Sequence, residues 1–383
     1  MRLIYLMSLI SLKKSLGQVF TPSSIGELLA SEIIQIENEF VNVLDMGAGI
    51  GVLTKSLLAK NIGKNYDLIE IDQDLSDILM NDNELKHSQI YNLDICDFSF
   101  KKYDLIISNP PFLKLKFEEI KEYGDIYFLE LMWENLQWEG TFSFIVTNKV
   151  ISNSKYKKMR EKILKEVSYI SVIELDIFVY YKTEVQSFII TGRKSKEINE
   201  LVVLKKANIY GDIVDLIEIN KECAVVRMDI SYYKALESLQ MKVNNDLPLL
   251  GDLTSSITRG SESNNYFRSK GIMAFHTTDF IKNNEKISFN QNIKDRKYKI
   301  LDKGNIIIPR VGSRCLEYSA IVENGEKYFT DCIYRLEVDK NYQKIIFDSI
   351  SSPTGKLWRQ IASTGSCAKH LTIQSLQNMP LFF

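Results

Sequence analysis

The segment that most constrains this chain is an apolar run that ends in two consecutive prolines. It spans Asp104–Phe112 and reads DLIISNPPF. Proline has no N–H to donate to a β-ladder and cannot continue a helix, so the chain must leave the sheet at this point. Pro110 also favours an extended backbone at Asn109. The pattern therefore predicts a strand followed by a stiff loop that presents one amide side chain, backbone carbonyls and an aromatic ring.

Such a loop suits the exocyclic amine of a planar base. The Asn109 side-chain oxygen and a proline carbonyl can accept from the two N–H groups while Phe112 stacks on the face of the base. The alternative interpretation is an ordinary strand-ending turn with a buried Phe. The segments that precede it in the chain favour the first interpretation.

A glycine-rich turn lies upstream, between an apolar run and a helical pattern. Val41–Asp45 predicts a buried strand, Met46–Gly51 reads MGAGIG, and the helix follows from about Leu53 to Lys60. Glycines in this context allow a sharp turn and the close approach of a ligand. A second predicted strand ends at Glu70, where an acid is placed to bind ribose hydroxyls, and Ile71 is placed to pack on an adenine face.

Strand and helix patterns alternate through the first 190 positions or so. Further strands are predicted at 89–93, 104–108, 141–147, 170–178 and 185–191. This alternation predicts an α/β fold with a mostly parallel, Rossmann-like sheet covered by helices on both faces. The loops at 47–51, 70–71, 94–95 and 109–112 would then line the carboxyl edge of the sheet, where open α/β sheets bind ligands.

The remaining sequence has a different character. Residues 195–245 carry more charge and shorter apolar runs, which we interpret as an extension of the first domain that leads to a hinge. From about Leu247 short β-type runs alternate with turn clusters, which predicts a mixed α+β second domain. The predicted domains are 1–240 and 241–383.

The charge is unevenly divided between these parts. The chain of 383 residues has a net charge of −1, but residues 241–383 hold 20 Lys+Arg and 14 Asp+Glu, which gives +6. The rest holds 28 and 35, which gives −7. This division is consistent with a polyanion bound mainly by the C-terminal part, or with chance variation in surface charge.

Cysteine and histidine usage argues against a metal centre. The five cysteines are scattered without a C-x-x-C pair, and the three histidines lie far apart. We expect no metal and reduced thiols in a cytoplasmic protein. The apolar run Leu3–Leu12 is too short to span a bilayer, so we interpret it as a docked helix rather than a targeting signal and expect no membrane partner.

Five motifs stand in a diagnostic order: Gly17–Pro22, Asp45–Gly51, Glu70, Asp94 and Asn109–Phe112. In that order they resemble the gamma group of amino-methyltransferases, which act on N6 of adenine in DNA. The resemblance covers about the first half of the chain. It implies S-adenosylmethionine as the cofactor, double-stranded DNA as the substrate, and a catalytic role for Asn109, Pro110 and Phe112.

The resemblance also implies which residues hold the cofactor and the base. The implied cofactor-binding residues are Phe20, Thr21, Asp45, Gly47, Ala48, Gly49, Glu70, Ile71, Asp94, Ile95, Asn109 and Pro111. The flipped adenine would lie between Phe112 and an aromatic residue after the sixth strand, with Phe178 preferred over Tyr180 and Tyr181. Two features depart from the family pattern: Phe112 stands where many members have Tyr, and no proline follows Phe178.

The C-terminal part resembles the target-recognition domains of type I specificity subunits, on the segments around Thr258–Gly260, Ile306–Arg314 and Lys369–Leu371. It is expected to contact DNA through Arg259, Arg310, Arg314 and Lys369. For each of these side chains, a solvated surface charge or a local ion pair is an equal alternative. The implied biological context is the modification enzyme of a restriction–modification system whose endonuclease is a separate chain.

Three other functions are compatible with parts of this pattern. Enzymes that methylate adenine in ribosomal RNA share the G-Q-x-F start and a glycine loop like Gly49–Thr54. Protein glutamine methyltransferases share an N-P-P-Y motif. A DNA-binding specificity protein with an inactive cofactor site is the third, and it would not bind S-adenosylmethionine.

Overall fold

The structure is a computed structural model that describes residues 20–112, 123–180, 185–240, 247–281, 284–312, 315–363 and 369–382. The apolar run Leu3–Leu12, the Gly17–Val19 part of the first motif, Tyr181 and Arg314 lie outside the described residues. The chain divides into two compact units, Met1–Ser231 and Tyr232–Phe383. The predicted domain limits, 1–240 and 241–383, stay a prediction.

The first unit is built on a nine-stranded sheet in the order β3-β2-β1-β4-β5-β7-β6-β8-β9. Strands β1 to β5 pair in parallel, as do β6 and β8, whereas β7 runs antiparallel to both of its neighbours and β9 is antiparallel to β8. This confirms the predicted α/β fold with a mixed, mostly parallel sheet. The strands are β1 (Asn42–Met46), β2 (Asn65–Glu70), β3 (Gln89–Asn92), β4 (Tyr103–Ser108), β5 (Leu136–Thr147), β6 (Val167–Glu174), β7 (Ser187–Lys194), β8 (Leu201–Ala207) and β9 (Ile213–Asn220).

Helices connect these strands, as the alternating pattern predicts. The apolar face of the first helix, with Ile25, Leu29 and Ile33, packs against Val43 of β1 and Leu105 of β4 in one buried cluster. Pro22 precedes this helix, and no side-chain hydrogen bond caps its first turn. The helices are α1 (Ser23–Ile34), α2 (Val52–Ala59), α3 (Gln73–Met80), α4 (Gly124–Asn135), α5 (Asn148–Ser152), α6 (Lys157–Lys165), α7 (Lys221–Val226) and α8 (Ile230–Gln240).

The hairpin of β8 and β9 differs from the sequence-based interpretation. Residues 195–245 were expected to be an extension leading to a hinge, but they add two strands to the sheet edge. Some of the charged side chains of this segment are buried. Lys205 of β8, for example, forms an ion pair with Glu32 of α1 at 2.7 Å. Ser171 of β6 donates to the same carboxylate at 2.8 Å.

The second unit contains a five-stranded sheet in the order β10-β16-β13-β14-β11 and a two-stranded ladder of β12 and β15. Ile306 and Ile308 of β13 belong to one core cluster, and Ile307 between them belongs to another, as the period-two geometry of a strand requires. The described elements of this unit are helices and short strands. They are α9 (Leu250–Leu253), β10 (Thr254–Arg259), α10 (Asn264–Ser269), β11 (Lys286–Ser288), β12 (Ile300–Leu301), β13 (Ile306–Pro309), β14 (Ala320–Asn324), β15 (Lys327–Tyr328), β16 (Ile333–Val338), α11 (Lys340–Ser351), α12 (Pro353–Ala362) and α13 (Ile373–Gln377).

The described residues lack two features, a membrane-spanning helix and a metal-binding cluster. Within those ranges no helix combines the length and apolar character needed to cross a bilayer. The same ranges contain no group of three or more His, Cys, Asp or Glu side chains arranged to hold a metal ion.

Candidate active site

A tight turn at the end of β1 forms the floor of the site. Gly47, Gly49 and Gly51 all have positive φ angles, 73°, 60° and 76°, in the left-handed region that favours glycine. The N–H groups of Gly47 and Ala48 donate to the carbonyl of Ile69 at 3.0 and 2.9 Å, which ties the turn to β2. The sequence therefore predicted this turn correctly, including its place between a strand and a helix.

A cavity opens above this turn at the carboxyl edge of the sheet. It encloses about 1070 Å³ when its open mouth is included, which is the size of a nucleotide-like ligand rather than of an ion. Its lining contains every predicted cofactor-binding residue except Asp45. The lining residues are Phe20, Thr21, Gly47, Ala48, Gly49, Ile50, Val52, Leu53, Ile69, Glu70, Ile71, Leu75, Leu93, Asp94, Ile95, Asn109, Pro111 and Phe128.

Glu70 joins the glycine turn to the end of β2. Its carboxylate accepts from the N–H of Gly49 at 2.7 Å and from the N–H of Asp72 at 2.9 Å. A carboxylate has about four acceptor positions, so two N–H donors leave capacity for ribose hydroxyls. Burial raises the pKa of Glu70, and the two backbone N–H groups oppose that shift.

Asp45 occupies a different place from the one the resemblance implied. It is 1% exposed and is not among the residues that line the cavity. Its carboxylate accepts from Thr54 Oγ1 at 2.7 Å, which fixes the start of α2 beneath the turn. Burial raises the pKa of Asp45 to about 7. Asp45 therefore stabilises the glycine turn through Thr54 and does not line the cavity.

The Asn-Pro-Pro-Phe loop forms the opposite wall. Asn109 and Pro111 line the cavity, and Asn109 Nδ2 donates to Thr21 Oγ1 at 2.7 Å. This bond joins two motifs that lie 88 positions apart in sequence. The bond fixes the orientation of the Asn109 amide, with its nitrogen turned toward Thr21.

The two aromatic rings that were predicted to stack on the target base differ in exposure: Phe112 is buried and Phe178 is exposed. Phe112 is 8% exposed and lies edge-to-face with Tyr180, with ring centroids 6.5 Å apart. Phe178 follows β6 and is 63% exposed. In this arrangement Phe178 offers an accessible ring face and Phe112 packs in the core, so a two-sided stack on a base remains a prediction.

Phe128 is a lining residue that the sequence reasoning missed. It lies on α4, and its ring would contact a side-chain carbon added at Gly47 at 3.4 Å, so the ring lies directly against the glycine turn. The signal in the sequence was weak, because α4 is apolar on several faces and one Phe does not stand out among Ile126, Leu129 and Trp133.

The cavity fits a cationic nucleoside ligand. Glu70 and Asp94 lie in its wall, Ile71 and Ile95 offer apolar contacts beside them, and none of the described lining residues is Lys or Arg. Two carboxylates favour a positively charged ligand, and the open space above Gly49 leaves room for close approach. S-adenosylmethionine, which joins an adenosine to a sulfonium, meets these requirements.

In the second unit, two of the predicted DNA contacts converge on one carboxylate. Arg259 Nη2 pairs with Asp331 Oδ2 at 2.8 Å, and Arg310 Nε donates to the Asp331 carbonyl at 2.6 Å. The Arg259 side chain is 48% exposed and that of Arg310 only 17%. Arg259 is therefore the more accessible of the two, and DNA contact by either side chain stays a prediction. Lys369 is partly exposed, and its carbonyl accepts from Gly312.

Comparison with known proteins agrees with the site geometry. Residues 20–172 match the family described as "Methyltransferase small domain". The match covers about two fifths of the chain and lies within the first unit, and S-adenosylmethionine is the cofactor that it implies. The match ends before β7 and does not extend into the second unit.

Two curated relatives and one solved structure show further similarity. The type II methyltransferase M.BsuBI of Bacillus subtilis is 28% identical over 192 residues, which are 41% of this chain and 38% of that protein. The tRNA1(Val) (adenine(37)-N6)-methyltransferase of Pedobacter heparinus is 31% identical over 133 residues, which are 30% of this chain and 56% of that protein. The chain thus spans between about two fifths and just over half of these relatives' length.

The structure of the type IIG restriction endonuclease BpuSI aligns over 95% of this chain and 58% of its own, with a TM-score of 0.52 and 12% identity. At this level of identity, the similarity is one of fold.

Proposed function

We propose that this protein transfers a methyl group from S-adenosylmethionine to N6 of an adenine flipped out of double-stranded DNA. The observation that carries the proposal is the position of the Asn109–Phe112 loop, whose Asn109 and Pro111 line the cofactor cavity. A loop with two proximal acceptors, beside a methyl-donor site, suits an exocyclic amine as methyl acceptor. The biological role we propose is modification within a restriction–modification system, with the endonuclease as a separate chain.

Asn109 and Pro110 supply the electrostatics of the reaction. When bound, S-adenosylmethionine supplies an electrophilic methyl group. The adenine amine is a weak nucleophile because its lone pair is delocalised into the ring. Hydrogen bonds from the amine to Asn109 Oδ1 and the Pro110 carbonyl favour a more tetrahedral nitrogen and stabilise the positive charge that develops as it attacks. The surplus proton of the methylated nitrogen then passes to water. Positioning and preorganised dipoles therefore carry the rate.

Thr21 prepares Asn109 for this role. Its hydroxyl holds Asn109 Nδ2 at 2.7 Å, so the amide does not need to reorient when the substrate arrives. The two prolines restrict the backbone of the loop to fixed φ values, so its carbonyls are held in place as well. Both features lower the reorganisation that would otherwise accompany the reaction.

Recognition of duplex DNA requires that the target base leave the helix, at a cost of a few kcal/mol. Phe178, which is exposed after β6, is the ring that we expect to stack on the extruded base. The second unit is net basic and exposes Arg259, which supports a role in binding the phosphate backbone or base edges. The similarity to a type II methyltransferase supports DNA as the acceptor.

A second candidate acceptor is transfer RNA. The similarity to a tRNA adenine-N6 methyltransferase favours it and also supports N6 of adenine as the methylated atom. That similarity covers 30% of this chain, against 41% for the type II methyltransferase. A direct competition between duplex DNA and tRNA as methyl acceptors separates the two proposals.

Substitution of Asn109 tests the catalytic assignment. Asn109→Ala removes one preorganised acceptor, and we expect kcat to fall about 10²–10³-fold, by analogy with the loss of one oxyanion-hole donor. Methyl transfer to DNA is measured with labelled cofactor, and cofactor affinity is measured separately by calorimetry. Asn81→Ala, at the exposed end of α3, is the matched control and should behave like the wild type. An unchanged kcat for Asn109→Ala would show that Asn109 is not the acceptor.

A further inference from the structure

The start of α4 lies directly against the catalytic loop. A side-chain carbon built on Gly124 would overlap the carbonyl oxygen of Pro111 and come within 2.9 Å of Pro111 Cγ. No residue larger than glycine fits there unless the backbone of the loop or of the helix shifts. Gly124 does not line the cofactor cavity, so this constraint concerns the loop and not the ligand.

Asp125, the next residue, fixes the helix start to the sheet. Its side chain is completely buried and accepts from Thr147 N at 3.1 Å, from Thr147 Oγ1 at 2.5 Å and from Ile126 N at 3.1 Å. Thr147 is the last residue of β5, and β5 is the parallel neighbour of β4, the strand that leads into the loop. The link therefore runs from β5 through Asp125 and Gly124 to the Pro111 carbonyl.

A second contact reinforces this link. Lys149, two residues beyond the end of β5, places its ammonium 3.8 Å from the ring centroid of Tyr123, the residue before Gly124. Burial raises the pKa of Asp125, and the positive charge of Lys149 opposes that rise. The residues that follow β5 thus hold positions 123 and 125 on either side of Gly124.

We propose that Gly124 and Asp125 are positioning residues that set the distance of the Asn109–Phe112 loop from the reacting atoms. Two successive prolines fix two φ angles, so a displacement of the Pro111 carbonyl moves the Pro110 carbonyl and the Asn109 side chain with it. A misplacement of about 1 Å can lower a rate 10²-fold without contact to substrate. This inference rests on the proposed function for its kinetic consequence, but its structural consequence is independent of the methyl acceptor.

Two pairs of variants separate positioning from general destabilisation. Gly124→Ala is compared with Gly192→Ala on β7, where an added carbon would also be crowded, 2.9 Å from the Tyr169 carbonyl and from the Phe142 ring, but where none of the neighbours belongs to the loop. Thr147→Val, which loses the hydroxyl bound by Asp125, is compared with Thr147→Ser, which keeps it. All four are screened for thermal stability and for cofactor affinity.

The kinetic readout is kcat and KM for DNA methylation. We expect Gly124→Ala to lower kcat about 10–10²-fold and Thr147→Val to lower it several-fold, with cofactor affinity within about threefold of the wild type. Thr147→Ser should restore kcat, and Gly192→Ala should lower stability but keep the wild-type kcat. Equal kcat values for Gly124→Ala and the wild type would overturn the inference.

The structural readout uses the side-chain amide of Asn109, observed by NMR in protein labelled with ¹⁵N-asparagine. We expect Gly124→Ala to shift this signal, because the hydrogen bond to Thr21 changes with loop position, and Gly192→Ala to leave it unchanged. A wild-type protein that methylates no DNA would refute the proposed function alone. In that case the Asn109 signal still decides the inference, and an unshifted signal in Gly124→Ala would overturn it.

Discussion

Replacement of Gly49 and of Gly51 by alanine should impair different properties of the protein, although both residues belong to the same turn. Gly49 has a φ of 60°, and a side-chain carbon there would meet nothing within 4 Å, because it would project into the open cavity. Gly51 has a φ of 76°, and the same carbon would come within 2.8 Å of Leu85 and 2.9 Å of Leu79. Gly49→Ala should therefore impair ligand binding, and Gly51→Ala should impair folding stability.

The magnitudes follow from these contacts. Both substitutions place alanine in the left-handed region, which costs roughly 1–2 kcal/mol. Gly51→Ala adds the overpacking of two leucines, about 1–3 kcal/mol, for a total of roughly 2–5 kcal/mol of lost stability. Gly49→Ala causes no overpacking, so it loses only the stability that the left-handed backbone costs. Its methyl group instead occupies space that the cofactor would fill, and we expect at least a ~10-fold weaker affinity, about 1.4 kcal/mol.

Urea unfolding followed by circular dichroism measures the first quantity, and calorimetric titration with S-adenosylmethionine measures the second. The reasoning predicts a crossed pattern: Gly49→Ala loses more affinity than stability, and Gly51→Ala loses more stability than affinity. If Gly49→Ala bound the cofactor as tightly as the wild type, the cavity above the turn would not be the cofactor site.

Three further outcomes follow from the charged groups. Lys205→Met leaves the buried carboxylate of Glu32 without its cation and should cost about 3–5 kcal/mol of stability, measured by urea unfolding. A second change, Glu32→Gln, should restore part of this loss. Wild-type stability in Lys205→Met would contradict the prediction. The pKa of Asp45 rises on folding from 3.8 to about 7, so its stabilising contribution is full below about pH 4 and is lost as the pH rises toward 7. Unfolding at pH 5 and pH 8 should therefore differ in free energy by roughly 2–3 kcal/mol in the wild type, with the lower stability at pH 8, and by less in Asp45→Asn. Arg259→Ala should weaken DNA binding and reduce by about 1 the slope of log affinity against log salt concentration. An unchanged slope would show that Arg259 does not contact a phosphate and serves only in its ion pair with Asp331.

The sequence predicted best the parts of the fold that depend on local pattern. The glycine turn, the acid at the end of β2 and the strand before Asn109 were all recognisable, because each is a short run of residues with a fixed chemical requirement. The β8–β9 hairpin was not recognised, since β9 alternates between exposed and half-buried positions and β8 carries the lysine that pairs with Glu32.

The sequence could not show how distant residues meet. The bond between Asn109 and Thr21, the contact of Phe128 with the glycine turn and the anchoring of Asp125 by Thr147 all join separate elements. Tertiary packing also decides exposure. Phe112 and Phe178 have the same side chain, but one is buried against Tyr180 and the other faces solvent.

The most direct test of the central proposal is the identification of the methylated nucleoside. The protein is incubated with labelled S-adenosylmethionine and unmethylated genomic DNA, with total tRNA as a parallel acceptor, and the products are digested to nucleosides and analysed by mass spectrometry. The proposal predicts label in N6-methyladenine from DNA, at one short sequence motif, and its loss in Asn109→Ala. Label in N4-methylcytosine, or label in tRNA and none in DNA, would contradict it.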